Sequence, residues 1–124
     1  MVNHIVSEIG HIKYIEITPG SHTLESDQDA ADIIGVCMEH GTQRILIHSG
    51  VFSGDFFKLR TGIAGIFQQK FVNYSITAAI IADPANIKGS TFTDMMTEAN
   101  KGDHFRFFTD GAAAVAWLMH DTAG

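Results

Sequence analysis

The sequence predicts an α/β fold: a single domain in which a mixed, mostly parallel five-stranded sheet is flanked by helices, in the order β-β-α-β-α-β-α-β-α. Three observations carry that prediction. Short alternating or wholly apolar stretches interleave with stretches of helical period. Arg44–His48 reads as a short strand, and Ser75–Ala82, with almost no polar residue on either face, as a strand for the centre of a covered sheet. Capping residues mark the boundaries between them. The 124 residues, 45% hydrophobic and 18% charged, suit one core, so residues 1–124 are read as one domain.

From His4 to Ile17 the pattern alternates as two short strands joined by a tight turn at Gly10, with Ile5, Ile15 and Ile17 expected to point inward. Pro19-Gly20 ends the second strand. Ser26 opens a helix as its N-cap, Asp29 completes a capping box, and Gly41 suits the left-handed residue after the last turn. Between these caps Ala30, Ile33, Ile34 and Cys37 form one apolar stripe. His40 falls in the last turn, where an imidazolium would meet the negative end of the helix dipole. After the strands Arg44–His48 and Ser75–Ala82 and the turn at Asp83-Pro84, Ser90 or Thr91 starts a helix with Phe92, Met95, Met96 and Ala99 on one face and Gly102 beyond its end. Phe105–Phe108 is the last strand, and Asp110 caps an Ala-rich helix carrying Val115, Trp117, Leu118 and Met119. Strands alternating with helices call for right-handed crossovers and parallel pairing, with the first strand antiparallel.

The stretch Asp55–Tyr74 admits two helix starts. Ser53 can cap one helix from Gly54 to Phe71, burying Phe56, Leu59, Ile63, Phe67 and Phe71. Gly62 and Gly65 then face outward, where each costs about 1 kcal/mol against alanine. That cost suits close approach by another backbone, such as a second subunit. Alternatively Thr61 caps a helix from Gly62 to Phe71, and uncovered first-turn amides make a seat for a phosphate or carboxylate. A plainer role for the glycines is tight packing of the helix on the sheet. The string Gln68, Gln69, Lys70, Asn73 and Tyr74, with Asn100, has the aromatic and amide character of an interaction surface. Asn73-Tyr74 serves equally well as a turn into the central strand, with Asn accepting a left-handed conformation.

A net charge of −6 without a Lys/Arg cluster argues against nucleic acid as a partner. The one cysteine, Cys37, excludes an internal disulfide and suits a reducing compartment. The N-terminal stretch has no secretion-signal pattern and no apolar run reaches membrane-spanning length, so a cytoplasmic protein without a membrane partner is expected. The histidines show no metal-ligand spacing; His4 and His11 are the pair that the first hairpin could bring together. No metal or cofactor is expected.

Ligands of open α/β sheets sit beyond the C-terminal ends of parallel strands. Those ends supply His48, Ser49, Asp83, Thr109 and Asp110, joined at the same edge by Thr61 where it caps the helix. His48 with Asp83 and Ser49 or Ser53 has the residue types of a nucleophile system, but no nucleophile-elbow spacing, phosphate loop or dinucleotide fingerprint accompanies them. Each also has a structural role as a cap, turn or loop residue.

The order of elements resembles the STAS and anti-sigma-factor-antagonist fold. In that family a Ser or Thr at a helix start can be phosphorylated within a Ser-Gly-x-Gly-like turn. The nearest match here is Thr61-Gly62-Ile63-Ala64-Gly65, one residue longer between the glycines and without a preceding acidic residue. A second resemblance rests on Asp55-Phe56-Phe57, Leu59, Thr61-Gly62, Ala64-Gly65, Gln69-Lys70-Phe71-Val72-Asn73-Tyr74, Glu98, Asn100 and Gly102. It is to a bacterial family catalogued as domain of unknown function 4180, and it covers most of the chain. Together these readings lead to a non-catalytic regulatory module that binds a protein partner or itself, as a homodimer, through Gly65, Gln69, Asn73, Tyr74 and Asn100. The alternative is a sensor of a small anionic ligand at Ser49, Ser53, Thr61, Gly62 and Asp83, and a hydrolase-like enzyme ranks third.

Overall fold

The structure, a computed structural model, describes residues 3–18, 24, 26–48, 51, 63–82, 100 and 104–119. Five strands form one sheet: β1 (His4–Ile9), β2 (Ile12–Ile17), β3 (Arg44–His48), β4 (Thr77–Ile81) and β5 (Phe105–Phe108). Their spatial order is β1-β2-β3-β4-β5, with β1 antiparallel to β2 and all later pairs parallel. The helices are α1 (Asp27–His40), α2 (Ile63–Asn73) and α3 (Gly111–Met119). The helix expected from Ser90 or Thr91 lies outside the described residues.

The first hairpin turns through Gly10 and His11, with positive φ (62°) at the first of the two, as a type II′ turn requires. This turn fixes Ile5 opposite Glu16 and Val6 opposite Ile15. Ile15 and Ile17 point into the core as expected, whereas Ile5 is on the other face and 52% exposed. His4 and His11 sit at opposite ends of the hairpin, and the His4 ring lies instead 5.6 Å from that of His40.

Both ends of α1 follow from local chemistry. Ser26 and Asp29 form a reciprocal capping box, and Gly41, at φ 67°, lets its own N–H and that of Thr42 close on the last carbonyls. The same closure ends α2, where Ser75 (φ 57°) takes the left-handed position; its N–H meets the Val72 carbonyl and that of Ile76 meets Phe71. The left-handed residue is therefore Ser75 and not Asn73. Its Cβ makes this conformation costlier than it would be for glycine.

The sheet is covered unequally. On one face Ile33 and Cys37 of α1 and Phe67 and Phe71 of α2 bury against Ile15, Ile45, Ile80 and Phe105. Full burial of one such phenylalanine stabilises the fold by about 1.5–3 kcal/mol. On the other face Ala114 and Leu118 of α3 pack on Leu46 and Ala79, so α3 rests mainly on β3, β4 and β5. Arg44 ties the end of this helix down, its Nε donating to the Leu118 carbonyl at 2.8 Å. Ile5 and Ile9, 52% and 47% exposed, are left on the half of that face built by β1 and β2.

Candidate functional site

Helix α2 carries the feature that tests the sequence reading most directly. Phe67 and Phe71 are completely buried, which turns Gly65, Gln69 and Asn73, four residues apart, onto the outward face. All three are exposed. A Cβ built on Gly65 would meet nothing within 4 Å, so packing inside the chain does not require the glycine there. Ile66 (38% exposed) and Val72 (44%) add apolar area beside it.

Between α1 and α2 this face sinks into a shallow groove of about 440 Å³ lined by Asp27, Gly65, Ile66, Gln69, Lys70 and Asn73. Its polar rim is pre-ordered. Lys70 Nζ donates to both carboxylate oxygens of Asp27 at 3.1 Å, and Gln69 Nε2 donates to Asn73 Oδ1 at 3.0 Å. The Asp27 side chain is mostly exposed, so the ion pair fixes geometry more than it stabilises.

The other proposed surface residues separate from this groove. Tyr74, 48% exposed, lines a second cleft of about 600 Å³ at the N-terminal ends of the parallel strands, with Glu8, Lys13, Cys37, Met38 and Arg44. Cys37 is 1% exposed, and burial pushes its thiol up to about 12. A protonated, buried thiol is an inert wall. Asn100 stands at the far edge of the sheet, where both ends of its amide are taken up by the backbone of Phe107.

Ser49, Ser53, Thr61, Gly62 and Asp83 lie outside the described residues. His48 is described, and its partner is one the sequence reading missed. Its Nε2 is 2.7 Å from Oε2 of Glu16, on the neighbouring strand at the C-terminal end of the sheet. An imidazole oriented by a carboxylate is the base half of a nucleophile system. It is equally an ordinary cross-strand hydrogen bond at the rim of a sheet. Among the described residues, no group of three or more His, Cys, Asp or Glu could hold a metal ion, and no helix is long and apolar enough to cross a membrane.

The family model for Domain of unknown function (DUF4180) matches residues 9–118. The chain belongs to this family. Searches of curated proteins and of solved structures gave no match. The DUF4180 match spans α1, α2 and everything between the groove and α3, while the first five residues of β1 precede it.

Proposed function

We propose that this DUF4180 domain is a non-catalytic regulatory module of the STAS-like type, acting in the cytoplasm by docking a protein partner on the outward face of α2. The observation that carries the reading is Gly65: an exposed glycine in the first turn of α2, with open space where its Cβ would be. A glycine within a helix costs up to about 1 kcal/mol against alanine, a cost without return inside this chain and with one if a partner backbone approaches. Gly35, exposed on α1, shares both properties, so the helical layer presents two such points. Ile66 and Val72 supply apolar contact, and the Gln69–Asn73 amides supply directional hydrogen bonds. The sequential sheet with an antiparallel first strand supports the STAS-like architecture, and the single buried Cys37 suits a reducing compartment.

A photo-crosslinking residue at Gln69 tests this in cells. One protein should be captured there, and Gly65→Trp should abolish the adduct while leaving the melting temperature unchanged. Absence of any adduct, or an adduct indifferent to Gly65→Trp, would overturn the assignment.

A further inference from the structure

The cleft at the N-terminal ends of the parallel strands has a floor and a rim of different character. Ile34 and Cys37 of α1 and Ile76, just before β4, close its floor, and all three are buried. Its rim carries Glu8, His11, Lys13, Gln43 and Tyr74, all exposed. None of these five side chains has a hydrogen-bond or ion-pair partner among the described residues. The volume of about 600 Å³ falls within the roughly 300–1,000 Å³ of small-molecule sites, which combine apolar walls with a few convergent polar groups. Glu8 and Lys13 are the informative pair. They stand directly opposite each other in the first hairpin, on the face that Ile15 and Ile17 turn into the core beside α1. Opposite charges so placed ordinarily close on each other. No ion pair joins these two, and both line the cleft.

We propose that this cleft binds a free α-amino acid with an apolar side chain. Thr18 N–H donates to the Asn3 carbonyl at 3.0 Å, which fixes the hydrogen-bond phase of the hairpin and makes Glu8 and Lys13 a non-hydrogen-bonded pair. Such pairs have their Cα atoms about 4.5 Å apart. A carboxylate and an ammonium rooted so close together call for a ligand whose own opposite charges are adjacent. In an α-amino acid a single carbon separates them. Its carboxylate docks on Lys13, with the His11 ring as a further donor, and its ammonium docks on Glu8. Helix α1 ends on the same wall at Gly41, and the negative end of its dipole favours the ammonium as well. The ligand side chain then lies on Ile34, Cys37 and Ile76. The Tyr74 ring and Met38, 67% exposed, form an adaptable rim around it. Burial of that side chain supplies affinity that two solvent-exposed ion pairs alone would not. A ligand with one charge leaves either Glu8 or Lys13 unmatched.

The cleft shares no lining residue with the α2 groove, so ligand binding and partner docking can fail independently. Isothermal titration calorimetry of the full chain with L-leucine, L-methionine and L-phenylalanine should show saturable binding of at least one of them. For that amino acid, the analogue lacking the amino group and the amine lacking the carboxylate should each bind at least about tenfold more weakly, since each forfeits one charge-assisted contact. Glu8→Gln should weaken the amino acid to a similar extent while leaving the analogue without an amino group unaffected. Lys13→Gln should do the same with respect to the amine. Both positions are exposed on the hairpin, and should either variant not fold, the three ligands compared on the wild type decide the matter alone. Absence of binding by all three amino acids, a singly charged analogue that binds as tightly as its amino acid, or wild-type affinity in a folded Glu8→Gln or Lys13→Gln would overturn the proposal.

Discussion

The side-chain amide of Asn100 lies along the outward edge of Phe107 like a fragment of a sixth strand. Its Nδ2 donates to the Phe107 carbonyl at 3.2 Å, and its Oδ1 accepts the Phe107 N–H at 2.8 Å. One residue thereby satisfies two backbone groups that an edge strand would otherwise offer to a neighbour. Asn100→Ala is expected to cost about 1–2 kcal/mol, from two hydrogen bonds of about 0.5–1.5 kcal/mol each offset by hydration of the freed groups. Asn100→Asp keeps the acceptor but turns a carboxylate toward the Phe107 carbonyl, so it should be no better. Urea denaturation reads the loss, and light scattering of Asn100→Ala should show more self-association than wild type as this edge opens.

Gly65→Ala separates packing from recognition. With open space around the new Cβ, the substitution should stabilise the chain by about 0.5–1 kcal/mol through helix propensity and the unfolded state. A glycine kept for tight packing would respond in the opposite direction. Thermal unfolding gives the sign, and weaker crosslinking at Gln69 in the same variant would show that the gain in stability comes at the expense of the surface.

Cys37 gives a pH dependence whose direction is fixed by its burial. Desolvation raises the thiol from its ordinary 9.0 to about 12, so the folded chain keeps a proton that the unfolded chain releases. The contribution is fully present below pH 9.0 and is lost progressively as pH rises toward 12. Wild type should therefore lose more stability than Cys37→Ala on passing above pH 9.0, measured by denaturant titration of both. Iodoacetamide should modify Cys37 only in denaturant.

How far the sequence foretells this molecule depends on how local the governing interaction is. Helix α1 is legible almost completely, since Ser26, Asp29 and Gly41 act within one turn of each helix end and the stripe from Ala30 to Cys37 repeats at the helical period. The strands at Arg44–His48 and Phe105–Phe108 are likewise read from their own residues. The face taken by Ile5 was not legible, because Ile5 and Val6 are both apolar and only the two-residue turn at Gly10 sets which one opposes Ile15. The Glu16–His48 pair spans 32 positions and exists only because β2 and β3 are neighbours, a fact of topology. Asn100 carries a sequence signal of polarity alone; its engagement with Phe107 depends on where the preceding segment brings it. On α2, the exposed line of Gly65, Gln69 and Asn73 was legible from helical period, while the separation of Tyr74 into another cleft follows from the left-handed turn at Ser75.

The sequential order of the strands has a consequence for biosynthesis. Each strand from β2 onward hydrogen-bonds to its immediate predecessor, so a chain emerging from the ribosome can lay down its sheet one strand at a time, without waiting for a distant partner. At every intermediate stage the newest strand is an open edge that the next one covers. Among the described residues no strand follows β5, and Asn100 precedes it in the chain. The plug for that edge is therefore already synthesised when Phe107 arrives, and the growing sheet can end as soon as β5 is in place.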